Sequence, residues 1–381
     1  MKENVLERNA RLHIDENIAM FRVKMQQPYE FKRAYAYRRA WEFYEECGRR
    51  DLNCHVSVGG LDSITLLCFL RKIGINVPAI SCSQLEDGSI QRVHKLLGVE
   101  NVKPLRRKDQ VLKEFGFPVI SKETAGKIEL LQNPSEKNAT VRHAIITGET
   151  GEYGGNRTGT RMRMAQKWLD LFGGADPEGA ALGYKAAPFK VSQKCCYYLK
   201  EKPCDDWAKA HNSVPYLGLM ASEGGRREKA LMMHGCNYFG ETTIRSCPFA
   251  IFNRQDILRL AVELDVPVPE IYGKIVKECD GTLRTTKAQR TGCSMCGFGI
   301  HLDKRPHTFD MLYDRNPKEW HYWMHDVGWG EVLDYIGVEW RQEGRQMSML
   351  DEIDEMYAME VNHETEQDQR RAEGEENLHR D

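Results

Sequence analysis

Apolar and polar residues alternate along the first part of the chain in a pattern that predicts a parallel α/β sheet. The short apolar segment Cys54–Val58 predicts a strand, and the apolar stretch Ser63–Leu70 after it predicts a helix. The order repeats downstream, with strands predicted at Val77–Cys82 and Val99–Leu105 around a helix at Ser89–Leu97. Alternation of this kind is typical of a parallel sheet covered by helices. We therefore expect a Rossmann-like α/β fold with helices on both faces of the sheet.

The same patterns divide the chain into four predicted segments. Phe31–Cys47 mixes aromatic and basic residues at helical spacing, which predicts a helical extension before the sheet. The predicted segments are an N-terminal extension, an α/β domain, a mostly helical segment and a charged flexible tail, at residues 1–48, 49–275, 276–340 and 341–381. The tail is rich in Glu, Gln, Asp and Arg, and a docking helix at Met347–Met359 is the alternative to disorder there.

Composition limits the class of protein. With 381 residues, 41% of them hydrophobic and 29% charged, the chain can bury a full core, and no apolar stretch is long enough to cross a bilayer. The polar start Met1–Asn4 differs from a signal peptide, so we expect a cytoplasmic protein with no membrane role. In that setting 12 cysteines favour metal binding, redox chemistry or burial over disulfides. A net charge of −2 argues against a strong global attraction to nucleic acid.

A glycine turn follows the first predicted strand and opens the first predicted helix. Its sequence is Gly59-Gly60-Leu61-Asp62-Ser63. Glycines let the main chain approach a phosphate, and free amides at the start of a helix attract its negative charge. The spacing is neither that of a Walker A loop nor that of a dinucleotide fingerprint. An ordinary tight turn is the alternative, but strand, turn, Asp-Ser and helix in this order favour a phosphate site.

Four cysteines form a split pattern, with Cys195 and Cys196 adjacent and Cys293 and Cys296 separated by two residues. Four thiolates can close a tetrahedral metal site or hold the corners of a cubane cluster. Zinc is the main alternative to iron, although two adjacent cysteines chelate one small ion awkwardly, whereas each can bind a different iron of a cluster. We expect a four-iron, four-sulfur cluster, and we interpret the remaining cysteines as core residues.

These motifs together resemble one known family. The glycine turn is similar to the Ser-Gly-Gly-x-Asp-Ser loop of the adenine nucleotide alpha-hydrolase-like (PP-loop) superfamily, with Val58 at the first serine and Ser57 one residue earlier. The cysteine pairs resemble the split pattern of phosphoadenosine phosphosulfate (PAPS) reductase family proteins that carry a four-iron, four-sulfur cluster. Ser222–Lys229 resembles that family's nucleotide-proximal loop, and Pro248–Asp256 resembles its Pro-Leu-x-x-Trp-x-x-x-Asp segment. The resemblance covers about residues 50–310 in order.

The resemblance implies an enzyme, and it leaves three functional classes open. Sulfonucleotide reductases of this family use a C-terminal cysteine as nucleophile, whereas this chain has no cysteine after Cys296. The resemblance therefore favours the branch similar to the DNA phosphorothioation sulfurtransferase subunit, which implies cleavage of ATP to AMP and pyrophosphate and sulfur transfer to an activated acceptor. A PAPS or APS reductase that releases sulfite is the alternative, and a non-catalytic nucleotide sensor is a second one.

The resemblance also implies roles for particular residues. We expect the phosphates of ATP or a related adenine nucleotide to contact Ser57, Gly59, Gly60, Leu61, Asp62 and Ser63. Mg²⁺ near Asp62 would offset the charge of the departing pyrophosphate, and Asp62 and Arg226 are the predicted catalytic residues. Further nucleotide-binding candidates are Lys122, Lys200 and Glu223. For Arg226, Lys122 and Lys200, a solvated surface position is the alternative.

A nucleic acid acceptor is a further expectation. Asn156–Lys167 and Arg284–Arg290 are locally basic, as phosphate-contacting loops are. The aromatic residues of Trp320–His325 would stack on bases or, as we favour, form a small satellite core. His301 and His307 are expected beside the cluster without ligating it. The sulfur donor, the electron donor and the choice between a homodimer and a complex with a modification-system partner stay open.

Overall fold

A mostly parallel six-stranded sheet organises the structure, a computed structural model that describes residues 16–150 and 162–342. The strands are β1 (Asn53–Ser57), β2 (Ala79–Ser81), β3 (Glu100–Asn101), β4 (Val119–Ile120), β5 (Ser213–Leu217), β6 (Asn237–Phe239), β7 (Ile244–Ser246), β8 (Ile275–Lys277), β9 (Leu283–Thr285) and β10 (Gly297–Phe298). The order in the large sheet is β3-β2-β1-β5-β7-β6, and only β6 and β7 pair antiparallel. The remaining strands form the pairs β4–β10 and β8–β9.

Helices flank this sheet. They are α1 (residues 16–25), α2 (Tyr29–Arg49), α3 (Leu61–Lys72), α4 (Gly88–Leu96), α5 (Lys108–Phe115), α6 (Lys122–Gln132), α7 (Ala139–Thr147), α8 (Gln166–Phe172), α9 (Pro177–Ala181), α10 (Lys194–Cys196), α11 (Lys202–Ala210), α12 (Gly225–His234), α13 (Arg254–Glu263), α14 (Thr308–Arg315), α15 (Pro317–His321) and α16 (Trp329–Ile336). A π-helical turn, Tyr197–Glu201, joins α10 to α11. The prediction of a mixed α/β fold built on a mostly parallel sheet is confirmed, and its strand order is compatible with a Rossmann-like arrangement.

The predicted third strand is shorter than its pattern indicates. We expected a strand over Val99–Leu105, but β3 contains only Glu100 and Asn101. The Val102 amide still donates to the Ser81 carbonyl at 2.8 Å. Pro104 has no amide, so the chain cannot continue the ladder beyond that point.

Helix α2 packs on the same core as the sheet. Ala36, Ala40, Phe43 and Cys47 recur at helical spacing and are fully buried. The Phe43 ring packs edge-on against Tyr216 of β5, with ring centroids 5.0 Å apart. Truncating a buried aromatic residue of this kind to alanine costs about 3–5 kcal/mol.

The buried pair Lys32–Asp256 fastens α2 to α13. The Lys32 Nζ lies 2.8 Å from the Asp256 carboxylate, and the two side chains are 4% and 10% exposed. Asp256 also accepts the Asn253 amide at 2.8 Å and so caps α13. Removing one partner of a buried pair costs about 3–5 kcal/mol. Asp256, which closes the Pro248–Asp256 segment, therefore has a structural task in this fold.

The aromatic segment near the end of the described chain is largely buried. Trp329 is fully buried and packs edge-on against Phe117 and Phe309, with both centroid distances at 5.1 Å. Trp320 is buried against Tyr313. These rings form a satellite core, so Trp320 and Trp329 do not offer free faces to nucleic acid bases.

One compact unit extends to Val338, and a second begins at Glu339. Within residues 16–150 and 162–342, no helix combines the length and apolar character needed to span a bilayer. The predicted tail beyond residue 342, including the docking helix at Met347–Met359, lies outside the described residues. Residues 156–161 of the first basic stretch lie outside them as well.

Candidate nucleotide site and cysteine cavity

The glycine turn lies at the carboxyl end of β1, where the strand order reverses. Ser57, the last residue of β1, is in register with Ile80 of β2 on one side and Leu217 of β5 on the other. Helix α3 begins directly after the turn, with Gly60 as its N-cap residue. In open α/β sheets, ligands bind in the crevice outside the carboxyl ends of the strands at such a reversal. The turn thus occupies the position that this sheet offers to a ligand.

Ser63 fixes the backbone of the turn. Its hydroxyl accepts the Gly59 amide at 2.7 Å and donates to the Gly60 carbonyl at 2.9 Å. The amides of Asp62 and Ser63, in the first turn of α3, form no hydrogen bond within the described residues. Val58, which stands at the first serine of the expected motif, is buried in the core and has no access to a phosphate. The turn therefore offers backbone donors but not that side chain.

Tyr272 lies against the turn from a distant segment. Its hydroxyl accepts the Leu61 amide at 3.0 Å and hydrogen-bonds the Thr291 hydroxyl at 2.6 Å. The same hydroxyl occupies the space that a Cβ at position 60 would need, and Thr291 Oγ1 would lie 3.0 Å from that Cβ. Burial raises the pKa of Tyr272, so the phenol is neutral. Gly60 is required here because the tyrosine leaves no room for a side chain.

Asp62 and Glu223 lie near each other, among three arginines. Arg254 pairs directly with the Asp62 carboxylate, and Arg227 donates to Glu223 at 2.6 Å. Burial raises the pKa of Asp62; Arg254, Arg290 and Arg227 oppose that rise, whereas Glu223 adds to it. The Asp62 carboxylate is thus already neutralised by Arg254, and we derive no step through Mg²⁺ at this residue.

Sequence analysis predicts Arg226 as a site residue, whereas the structure places Arg227, Arg254 and Arg290 around Asp62 and Glu223. Arg226 lies in α12, and its side chain is outside what the structure describes. Arg254 and Arg290 were not predicted as site residues. Arg254 nevertheless lies in the Pro248–Asp256 segment, which resembles a family motif, and Arg290 ends the basic stretch Arg284–Arg290.

The four predicted metal-ligating cysteines line one cavity, which we call the cysteine cavity. Its lining residues are Lys108, Pro118, Cys195, Cys196, Leu199, Lys200, Cys293, Cys296 and Phe298. One pair comes from α10 and the other from the loop before β10. Strand β10 pairs in parallel with β4, with Gly297 opposite Val119, and this pairing holds the loop in place.

Local backbone features present the thiols. The Cys296 amide donates to the Cys293 carbonyl at 3.1 Å, which closes a tight turn, and Met295 within it has φ +56°. A residue other than glycine in this left-handed region costs roughly 1–2 kcal/mol. On the other side, the π-helical turn begins directly after Cys196, a feature that recurs at functional sites.

Burial favours the protonated form of three thiols of the cavity, those of Cys195, Cys196 and Cys296. It raises the pKa of Cys195 to about 12, against the opposing effect of Lys108. Burial likewise raises the pKa of Cys196 and of Cys296. Cys293 appears among the neighbours that raise all three values, so the four sulfurs act on one another. A metal centre would remove these protons because thiolates are the ligands.

Two lysines add positive charge to the cavity. Lys108 is only 9% exposed, and its Nζ has no hydrogen-bond partner among the described residues. Burial lowers the pKa of Lys200, but Cys293 and Glu86 outweigh that effect and leave the pKa raised. A buried ammonium without a partner is costly. Four thiolates around iron or zinc carry negative charge, so this cavity fits such a centre in both donor set and charge.

The cysteine cavity matches a metal centre in its type of ligand, but its side chains are not already in a metal-binding arrangement. Within the described ranges, no group of three or more His, Cys, Asp or Glu side chains is already arranged to hold a metal ion. His301 and His307 do not line the cysteine cavity. His301 packs against Trp168 at a ring-centroid distance of 5.2 Å, and His307 caps α14 by accepting the Asp310 amide.

Glu86 and Lys200 connect the glycine turn to the cysteine cavity. Lys200 pairs with Glu86 and lines the cysteine cavity together with Cys293. On the side of the turn, Glu86 Oε1 would lie 3.8 Å from a Cβ at position 59. Thr291, which contacts Tyr272 at the turn, precedes Cys293 by two residues. The two sites therefore adjoin each other, and Lys200 lies between them.

Lys122 lies beside the π-helical turn that follows Cys196, and it does not line the cysteine cavity. Its Nζ is 3.1 Å from the Glu201 carboxylate. Burial lowers its pKa, but Cys196 and Glu201 outweigh this and raise it. The structure therefore associates Lys122 with Cys196 and does not bring it to the glycine turn.

Comparisons of the chain with protein-family models, with curated proteins and with solved structures found no match. The assignment to the PAPS reductase family thus stays a prediction based on motifs.

Proposed function

We propose that this protein binds an adenine nucleotide at the glycine turn and cleaves ATP to AMP and pyrophosphate beside a metal centre held by four cysteines. One observation carries the proposal: the turn at the reversal point of the sheet adjoins the cysteine cavity through Glu86 and Lys200. A phosphate-binding position and four convergent thiols in one crevice match the two motifs from which the PP-loop family was predicted. We also propose that the protein has the Rossmann-like fold of the PP-loop superfamily and that it is located in the cytoplasm.

The backbone of the turn receives the β- and γ-phosphates. The amides of Asp62 and Ser63 point from the first turn of α3, where the helix dipole favours negative charge. The Leu61 amide becomes a third donor to the phosphates when its hydrogen bond to the Tyr272 hydroxyl is broken. Together these donors hold the pyrophosphate that leaves.

The arginines around Asp62 supply positive charge at the reacting phosphate. Arg254 and Arg227 each hold a carboxylate, while Arg290 acts on Asp62 from the basic stretch Arg284–Arg290. These guanidinium groups stabilise the charge that develops on the α-phosphate, and Arg226, next to Arg227 in α12, remains a predicted contributor. Loss of one such donor in a preorganised site costs about 10²–10³ in rate.

The cysteine cavity would hold a four-iron, four-sulfur cluster through Cys195, Cys196, Cys293 and Cys296, with zinc as the alternative. Such a cluster, when bound, supplies a fixed negative charge and cross-links two distant segments. Lys108 and Lys200 offset that charge. In this proposal an oxygen of the acceptor attacks the α-phosphate of ATP and releases pyrophosphate, and a sulfide-level sulfur donor then displaces AMP from the adenylated acceptor. We favour a nucleic acid acceptor because Arg290 links the basic stretch to the site.

Purification without oxygen, followed by measurement of iron, sulfide and the visible spectrum, tests the metal centre. Incubation with ATP and magnesium, with pyrophosphate as the readout, tests the reaction. We expect a brown protein that releases pyrophosphate, and we expect Arg254→Ala to lower the rate about 100-fold while the colour is retained. A colourless protein that leaves ATP intact would overturn both parts.

Two other outcomes identify the alternatives. Thiol-dependent release of sulfite from PAPS or APS would identify a sulfonucleotide reductase. Nucleotide binding without turnover would identify a sensor, which one observation favours: Ser63 and Tyr272 already occupy donors of the turn in the free protein. Displacement of Tyr272 by a nucleotide would then be the signal.

A further inference from the structure

Two cysteines that sequence analysis assigned to the core lie side by side next to the site. The Sγ atoms of Cys82 and Cys204 are 3.8 Å apart. Cys82 directly follows β2 and is buried, whereas Cys204 lies in α11 and is half-buried. A disulfide needs sulfurs about 2.05 Å apart, so closure requires a movement of only about 2 Å, within reach of side-chain rotation.

The surroundings of this pair favour thiol chemistry. The hydrogen bond between the two thiols lowers the pKa of Cys204, and Lys200 acts in the same direction. The hydrogen bond to Cys204 and burial raise the pKa of Cys82. Cys204 is the more exposed residue of the two, so an external disulfide reaches it first. The segment after Cys82 extends to the cysteine cavity, because the Ser294 amide donates to the Leu85 carbonyl at 2.8 Å and Glu86 pairs with Lys200.

A second cysteine pair, Cys47 and Cys54, serves as a comparison. The interaction with Cys54 lowers the pKa of Cys47. Both are buried in the hydrophobic core formed by α2 and β1. A disulfide reagent has no approach to either sulfur. The chain therefore contains its own matched control.

We propose that Cys82 and Cys204 form a reversible dithiol–disulfide couple that exchanges with low-molecular-weight disulfides. The Cys204 thiolate attacks one sulfur of the external disulfide, which releases one thiol and leaves a mixed disulfide on Cys204. Cys82 then attacks the Cys204 sulfur, forms the Cys82–Cys204 bond and releases the second thiol. Two electrons pass to the external disulfide, and the two cysteine protons leave on the released thiols. This chemistry does not depend on a bound nucleotide.

The test uses the full-length protein, purified reduced and without oxygen, in glutathione buffers of increasing oxidised fraction. Free thiols are alkylated after denaturation, and disulfides are located by peptide mass spectrometry. We expect a Cys82–Cys204 disulfide that dithiothreitol reverses, while Cys47 and Cys54 stay fully alkylated. Iron content is followed in parallel, so that thiols released by loss of a metal centre are recognised.

Single variants test the order of attack. In Cys82→Ser, we expect Cys204 to retain a stable glutathione adduct because the resolving thiol is missing. In Cys204→Ser, we expect Cys82 to stay free because it is buried. Cys47→Ser should behave like the unmodified protein, and circular dichroism checks that each variant is folded.

Three results would overturn the proposal. The first is full alkylation of Cys82 and Cys204 at every glutathione ratio, even at ratios where glutathione oxidises other cysteines of the chain. The second is a disulfide between Cys82 or Cys204 and a cysteine of the cysteine cavity in place of the predicted bond. The third is equal adduct formation in the two folded single variants, because the pair would then lack the ordered attack.

Discussion

The glycine turn and the cysteine cavity adjoin each other, but the fold builds them by different means. The turn is one continuous segment, and the strand and helix on either side of it suffice to place it at the sheet reversal. The cavity combines a helix that carries Cys195 with a loop that carries Cys293. The pairing of β4 with β10 places the loop, and a bridge between Phe117 and Val191 ties the segment before the helix to the same region. A backbone site therefore needs local structure, whereas a thiol site needs tertiary structure.

The two sites also differ in how completely their polar groups are matched. At the turn, Ser63 and Tyr272 accept backbone amides, and Arg254 pairs with Asp62. At the cavity, the Lys108 ammonium has no hydrogen-bond partner within the described residues, and burial raises the pKa of Cys195 to about 12. At the turn, the Leu61 amide must exchange Tyr272 for a ligand, whereas the Asp62 and Ser63 amides form no hydrogen bond within the described residues. The cavity gains partners when it binds a cation.

The largest expected effect removes a ligand from the cavity. Cys293→Ala leaves three thiols there, and we expect the protein to lose most of its iron and its visible colour. The matched control is Cys279→Ala, which changes an exposed cysteine outside the cavity and should leave iron content unchanged. Metal analysis and the visible spectrum measure both. Equal iron contents in the two variants would mean that the cavity is not the metal site.

The next effect concerns the tightest point of the turn. Gly60→Ala places a Cβ where the Tyr272 hydroxyl lies, so we expect the affinity for ATP to fall about 100-fold. Gly48→Ala, with open space around its Cβ, serves as the control. Equilibrium binding of a fluorescent ATP analogue measures the affinities.

A double variant shows whether the Tyr272 hydroxyl causes that loss. In Gly60→Ala with Tyr272→Phe, the clashing oxygen is gone, and the next ring atom, Cζ, lies 3.7 Å from the new Cβ. Thr291 Oγ1, 3.0 Å from that Cβ, is no longer held by the tyrosine hydroxyl and can rotate away. We expect most of the affinity to return. Failure of the double variant to recover would mean that the extra methyl group obstructs the nucleotide itself.

Two features of the site could be predicted from the sequence, one from a local pattern and one from ligand chemistry. Strand β1, the turn and helix α3 follow from an apolar run, two glycines and a second apolar run, and the structure has them in that order. Convergence of Cys195 and Cys293 was expected from ligand chemistry, because four thiols in two pairs are the complement of one metal centre. Neither inference required knowledge of long-range contacts.

The remaining features depend on contacts between distant segments, which no local pattern encodes. Tyr272 lies far along the chain from Leu61, and nothing in its neighbourhood indicates that its hydroxyl accepts that amide. The proximity of Cys82 and Cys204 likewise arises only because α11 packs near the end of β2. Lys122 was expected at the phosphates, yet tertiary structure places it beside Cys196.

Tyr272→Phe alone tests whether the turn is held closed by its own side chains. Loss of the hydroxyl frees the Leu61 amide and removes the hydrogen bond to Thr291. We expect the free energy of unfolding to fall by about 1 kcal/mol and the affinity for ATP to rise a few-fold. Urea denaturation and the same binding assay measure the two quantities. Weaker ATP binding would instead show that the hydroxyl contacts the nucleotide.

The smallest effect concerns the pH dependence of stability and depends on Asp62. Burial raises its pKa above the ordinary 3.8, so the folded protein holds this proton more tightly than the unfolded chain does. The wild-type protein therefore loses stability from this residue as pH rises from 3.8 through the raised value. Asp62→Asn removes that loss, at the cost of a pH-independent penalty because Arg254 is left unpaired.

The stability of Asp62→Asn relative to wild type should thus improve with pH, by no more than about 1–2 kcal/mol. Urea denaturation at several values between about pH 4 and about pH 8 measures the difference. Arg254 keeps its hydrogen bond to the Gln289 carbonyl at 3.0 Å, so the variant is expected to fold. If the relative stability of the variant fell as pH rose, Arg254 would stabilise the carboxylate more than burial destabilises it, and the turn would contain a net favourable ion pair.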